Sequence, residues 1–200
     1  MDERVLQKLS YGLFVCTAKE NDKDNGCIIN TVTQVAENPI RIAISVNKQN
    51  YTHDMILATQ QFNVSILSEG ATFDTFKHFG FQSGRNVDKI GAVEFKRSAN
   101  GIVYIEKETN AYISGKVIKS IDLGTHTMFI AEVVDGQVLD ETPSATYAYY
   151  FAHIKPKPEA PKQKGWVCKI CGYVYQGDPL PPDFICPLCK HPASDFEPIQ

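Results

Sequence analysis

Four of the chain's six cysteines fall in two C-x2-C pairs near the C-terminus, Cys168 with Cys171 and Cys186 with Cys189, separated by 14 residues. Two residues between paired cysteines let both sulfurs of one loop face a single ion. Two such loops supply four thiolates in a tetrahedron. The 36 residues from Gly165 to the end cannot bury enough apolar surface to fold alone, so a bound metal would hold them together. The spacing by itself leaves zinc and iron both open, and zinc ribbons use it widely. The other two cysteines, Cys16 and Cys27, lie far away near the N-terminus, so the set does not read as a secreted disulfide framework.

Upstream of the cysteine pairs, residues 155–164 read KPKPEAPKQK, with three prolines among charged side chains. Such a segment contributes little to a core and reads as an extended, semi-rigid tether of about 3 Å per residue. It divides the chain into residues 1–154, the linker 155–164 and a small domain at 165–200. A length of 200 residues suits one medium domain and one small one. A net charge of -3 gives no reason to expect nucleic acid or an anionic membrane as partner. The opening MDERVLQKLS lacks the apolar core of a secretory signal, and no apolar run is long enough to span a bilayer, so the cytoplasm is the expected location.

The first 154 residues read mostly as strands. Ile42, Ile44 and Val46 alternate with Arg41, Ala43 and Ser45, the period of a half-buried strand. Segments 11–17, 62–67, 102–105, 111–119, 128–134 and 147–151 look similar, and Asn21 to Gly26 reads as a turn. Two short helices are expected, at about 52–59 with Thr52 as N-cap, and at about 72–79. Many short strands with few helices suggest a closed or nearly closed antiparallel barrel.

Around the cysteines, Gly172, Tyr173 and Tyr175 follow the first pair, Pro187 lies inside the second, and Trp166, Phe184 and Phe196 add aromatic packing. The form C-x-x-C-G-Y-x-Y…C-P-x-C resembles the rubredoxin family over all 36 residues. The short segment between the pairs is similar to the compact domains fused to rubrerythrins and flavoproteins. The resemblance implies one iron held by Cys168, Cys171, Cys186 and Cys189. It also implies that backbone N–H groups at Gly172 and Lys190 donate to the ligand sulfurs.

In the larger part there is no G-x-G-x-x-G and no P-loop, so a Rossmann domain is not expected. Three stretches, NGCIINTVTQVAENP (25–39), NKQNYTHDMI (47–56) and FGFQSGRNVDKI (79–90), together resemble the flavin reductase family with its FMN-binding split barrel. The resemblance covers about residues 1–154, with TYAYY at 146–150 as its closing segment. The fold implied is mainly β, a split β-barrel carrying a small rubredoxin domain, and the whole chain is similar to the high molecular weight rubredoxins. For the flavin ring, Asn30, Thr31 and Gln34 could offer amide and hydroxyl groups from a strand and the turn after it. For the phosphate, Thr52 would start a short helix, with Lys48 and Asn50 just before it. Ser83, Gly84, Arg85 and Lys89 add a glycine-containing turn and two cations. Taken singly, Lys48, Arg85 and Lys89 could be ordinary surface charges. His126 fits a family histidine near the nicotinamide or flavin. Cys16 and Cys27 read as buried thiols.

The resemblance implies an order of electron flow: a hydride from NAD(P)H enters at FMN, and single electrons leave through iron. It further implies a homodimer and, by analogy, an acceptor such as a flavodiiron protein that reduces oxygen or nitric oxide. Two other readings compete: an FMN and iron carrier fed by a separate reductase, and a non-enzymatic ligand-binding barrel with a structural zinc ribbon.

Overall fold

The computed structural model describes residues 2–156 and 165–199, so residues 157–164 of the proline-rich segment lie outside the described residues. Contacts cluster into two compact units, Met1–Ile154 and Lys155–Gln200.

In the first unit β1 (Phe14–Glu20), β2 (Lys23–Ile29), β3 (Val32–Glu37), β4 (Ile40–Asn47), β5 (Gln61–Leu67), β8 (Thr109–Asp122) and β9 (His126–Val138) form one sheet in the order β2-β1-β5-β8-β9-β4-β3. Its ladders are antiparallel. Among the described residues no ladder joins the two end strands, β2 and β3, so the barrel is split there. One core fills its interior: Phe62 and Val64 from β5, Phe129 from β9, Ile44 and Val46 from β4, and Cys16 and Cys27 facing each other from β1 and β2.

Helix α1 (Tyr51–Thr59) joins that core through Met55 and Ile56, both fully buried. With so little helix-forming support of its own, a nine-residue helix is stable through this packing rather than through propensity. A short hairpin, β6 (Phe95–Arg97) with β7 (Val103–Ile105), lies on the outer side. Buried polar contacts hold it there: the Thr17 hydroxyl donates to Val103 O (2.5 Å), and the Asn63 amide donates to Ile102 O (2.9 Å). A second core gathers Leu13, Val15, Leu67, Val103 and Tyr150 with Phe76 and Phe79 from α2 (Phe73–Gly80).

Three expectations need correction. The stretch Asn21–Gly26 is not a turn: β2 begins at Lys23, and the turn is only Asn21-Asp22. Its polar side chains are satisfied by distant partners, Asp24 by Arg97 and Asn25 by Thr52, which local sequence cannot display. Helix α1 starts one residue early, with Asn50 as N-cap, so Thr52 lies inside the helix. The aromatic run at 147–151 is helical rather than extended: α3 (Tyr147–Tyr149) continues as a wide turn through Ile154. Thr146 caps it by accepting from Tyr149 N (3.0 Å), and Tyr147, Tyr150 and Ile154 then face the second core together. Tertiary burial overrides the β preference of Tyr and Phe.

Phe129 has no exposed surface at the centre of the barrel. Phe129→Ala should lower the unfolding free energy of the larger unit by about 3–5 kcal/mol, read by urea denaturation.

Candidate metal centre and flavin site

In the second unit β10 (Trp166–Cys168) pairs with β11 (Val174–Tyr175) on one side and β12 (Phe196–Pro198) on the other. Phe184 packs edge-on against Phe196 and lies 4.6 Å from Tyr175, centroid to centroid. On this small frame stand two nearly identical loops. Cys168 N donates to Tyr173 O and Gly172 N returns to Cys168 O, each at 2.8 Å. Cys186 N donates to His191 O (2.8 Å), and Lys190 N returns to Cys186 O (2.9 Å). Gly172 and Lys190 both hold left-handed backbone, with φ of 79° and 63°, which turns each loop back on itself.

The four sulfurs lie within 4.8 Å of one another. Cys168 Sγ is 3.6 Å from Cys189 Sγ, and Cys171 Sγ is 3.5 Å from Cys186 Sγ. Four sulfurs about 2.3 Å from a central ion stand roughly 3.8 Å apart, so the cluster fits a tetrahedral tetrathiolate site. Burial raises the Cys171 thiol to about 11, more than the Tyr173 N–H lowers it, and Cys189 is raised as well, again first by burial. A central cation reverses that preference and makes all four thiolates.

The N–H donors to sulfur are not those expected. Gly172 and Lys190 give their N–H groups to the carbonyls of Cys168 and Cys186. Against burial, backbone hydrogen bonding from the next residues, Tyr173 and His191, lowers the pKa of Cys171 and Cys189, and that from Cys189 and Leu188 lowers the pKa of Cys186. The left-handed residue closes the loop, and the following amide is the one presented to sulfur.

In the barrel, the first turn of α1 gathers most of the polar residues singled out above. Asn50 makes no side-chain cap, although its carbonyl accepts from His53 N (3.0 Å), so no capping side chain serves the N–H groups of Tyr51 and Thr52. Lys48 lies just before it and pairs with Asp122 (2.6 Å). His126 stands opposite Asn47 across β4 and β9, with Nδ1 2.9 Å from Thr125 Oγ1. Arg85 reaches in from the 83–86 turn, pairs with Asp54 and lies 4.9 Å from the Tyr51 ring centroid. Lys23 is 4.6 Å from the same ring centroid. Ser83 Oγ accepts from Arg85 N (3.2 Å) and shapes that turn. A cavity of about 500 Å³ opens beside it, with Lys23, Gly84, Arg85 and Asp88 in its wall.

The remaining residues divide. Thr52 is buried, its hydroxyl accepting from Asn25 Nδ2 (2.9 Å), so it positions the helix start rather than facing outward. Thr31, half-buried between β2 and β3, exchanges two side-chain hydrogen bonds with Ser45, and its carbonyl also accepts from Ser45 N (3.3 Å), so it is tied to β4; the neighbouring Asn30 is half-buried. Gln34 lies on the edge strand β3 and donates to Ala36 O (3.2 Å), its own strand. Lys89 is no surface charge: it is 3% exposed and donates to Gly26 O (3.0 Å) and Phe79 O (2.8 Å), bracing β2 against α2. Burial lowers its pKa, partly offset by Cys27.

Sequence reasoning passed over His53 and Asp54. His53 is buried, with Nε2 2.8 Å from Thr127 Oγ1 and Nδ1 3.0 Å from Asp54 Oδ1. Partial burial would raise Asp54, but the hydrogen bonds from His53 and Arg85 outweigh it and hold the carboxyl below its usual value. Asp54 is therefore anionic at neutral pH and fixes Arg85. The adjacent pair His-Asp was visible in the sequence; its burial was not.

A helix start without a side-chain cap, with Lys23 and Arg85 at the Tyr51 ring and Lys48 just before it in the chain, fits the phosphate of a flavin mononucleotide by the chemistry of its donors. The model of the flavin reductase like domain matches residues 6–157, and that of the rubrerythrin, rubredoxin-like domain matches residues 166–197. The chain belongs to the flavin reductase family. This flavin reductase is 37% identical to a high molecular weight rubredoxin of Moorella thermoacetica, with both chains covered in full. It is 36% identical to the NAD(P)H ferric-chelate reductase of Archaeoglobus fulgidus, over 81% of this chain and 95% of the other. Its fold is shared with the NADH:FAD oxidoreductase of Streptomyces globisporus, at a TM-score of 0.65 and 24% identity, covering 72% of this chain and 84% of the other. It is an oxidoreductase with a flavin-binding barrel and, in the rubredoxin-like domain, an iron site at Cys168, Cys171, Cys186 and Cys189.

Gly84 packs directly on buried Asn25, and a Cβ there would overlap the Asn25 side-chain carbonyl. Gly84→Ala should displace the 83–86 turn and with it Arg85. We expect roughly tenfold weaker FMN retention with the iron content unchanged, measured by equilibrium dialysis and metal analysis.

Proposed function

We propose that this chain oxidises NAD(P)H through FMN bound at the α1 start and passes single electrons out through the rubredoxin-type iron. The observation that carries the reading is the joint presence of a cation-flanked helix start in a flavin reductase barrel and a tetrathiolate cluster in one polypeptide. Bound FMN supplies the essential chemistry, accepting a hydride and releasing electrons one at a time.

The chain's own groups bind and orient. The first-turn N–H groups of α1 with Arg85 and Lys48 hold the phosphate, Asn50 closes the helix start, and Asp54 keeps Arg85 aimed through its ion pair. Ser83 and Gly84 shape the turn that carries Arg85. Asn30, Thr31 and Gln34 border the ring, and Thr52 and Lys89 stiffen the strand and helix behind it. His126, beside Asn47 and Lys48, contacts the nicotinamide and orients it. The A. fulgidus relative, whose name states NAD(P)H as reductant, supports that donor.

The acceptor proposed is a redox protein of the flavodiiron class, and the active form a homodimer. Val35, Ile40, Val134 and Val138, each more than half exposed on the sheet, support a self-association surface. Among the described residues no helix is long and apolar enough to cross a membrane, and a cytoplasmic location is proposed.

Mixing the FMN- and iron-loaded protein with NADH without oxygen should bleach the flavin and then the iron absorption. If both chromophores bleach only after a separate reductase is added, the chain is a carrier and not an NAD(P)H oxidase. Cys171→Ser should abolish the iron step, with flavin reduction within about twofold of the parent. Failure of both steps in a folded variant would refute the order proposed.

A further inference from the structure

The two cysteine loops match residue for residue in their backbone bonding, yet they differ in where positive charge reaches them. In the second loop the ammonium of Lys190, the left-handed residue, donates to Pro187 O (3.2 Å). The corresponding residue of the first loop is Gly172, which has no side chain to do this. That loop takes its ammonium from elsewhere. Lys155, the first residue of the second compact unit, donates to Ile170 O (3.0 Å) and lies 3.4 Å from Lys169 O. Ile170 and Lys169 are the two residues between Cys168 and Cys171, and Lys169 holds the place that Pro187 holds in the other loop.

We propose that Lys155 is a positioning residue for electron transfer, an ammonium that completes the charge symmetry of the two loops and raises the reduction potential of the iron. Two effects act in one direction. A ferric ion with four thiolates bears one net negative charge. Accepting one electron, with no proton, makes it two, so a nearby cation favours the reduced form. The ammonium also draws on the outward carbonyls of peptide groups whose N–H ends belong to Ile170 and Cys171, and polarised peptides stabilise added charge on sulfur. Burial lowers the Lys155 pKa, and the charges of Cys171, Cys168 and Cys189 oppose that shift. The side chain is only partly buried, so solvent tempers the effect without abolishing it. Lys155 lies outside residues 166–197, the span matched by the rubredoxin-like domain, and within residues 6–157, the span matched by the flavin reductase like domain, so this cation is not part of the rubredoxin-like sequence pattern.

The inference rests on the cluster holding iron. Failure of that reading would show first, as full-length protein without the ferric-thiolate absorption after iron loading. In loaded protein, Lys155→Met should reduce the equilibrium constant for iron reduction by about 3–10-fold, a fall of roughly 30–60 mV at 59 mV per decade for one electron. The flavin potential in the same sample, an internal reference, should not move. Lys155→Arg should restore most of the lost potential, and Lys190→Met should lower it by a similar factor. An unchanged iron potential in Lys155→Met would overturn the proposal. So would an equal fall in Lys155→Arg, or loss of iron from Lys155→Met, because either would mean that the side chain shapes the loop instead of supplying charge.

Discussion

The burial of Met55 and Ile56 inside the seven-stranded sheet decides where the chemistry of the larger unit can occur. Helix α1 is short, lacks a side-chain cap, and has no independent stability; the barrel interior holds it in place. Thr52 and His53 of its first turn are buried along with Met55 and Ile56, whereas Leu57 is exposed, so the helix is anchored from its first turn onward. Asn25 reaches across to Thr52, and Gly84 settles on Asn25, so the loop bearing Arg85 is positioned by the same contact. One packing event therefore sets polar and cationic groups from three separate parts of the sequence.

Charge in this site is arranged by pairing rather than by abundance. Arg85 is held by Asp54, Asp54 by His53, and His53 by Thr127, which joins α1 to β9 beside His126. Lys89 shows the opposite use of a cation. It is buried against two carbonyls and works as a brace between β2 and α2. The small unit obeys another rule. Its apolar content is slight, and four inward sulfurs, which repel as anions and resist ionisation when buried, become its centre only around a cation.

Much of this was legible in advance. The cysteine pairs named their site because metal ligation demands that residue type at that interval. The strands at 42–46, 62–67 and 111–119 followed from alternation, and the structure extends rather than moves them. Tyr147–Tyr150 misled because aromatic residues favour strands locally, whereas contact with Phe76, 4.5 Å from Tyr150, selects a helical turn. His53 was passed over because a buried histidine carries no mark in the sequence that separates it from an exposed one.

Sequence alone determined the ligands of the iron, the division into a barrel and a ribbon, and the residue types available to bind a flavin. These depend on composition and local spacing, which the linear chain states directly. Tertiary structure decided which cation serves which purpose. It placed Lys89 in the core, Arg85 at the helix start, and Lys155 on cysteine-loop carbonyls 14 and 15 residues away. The role of a charged side chain is set by burial and by the partners that folding brings within a few ångströms, and neither is a property of the residue itself.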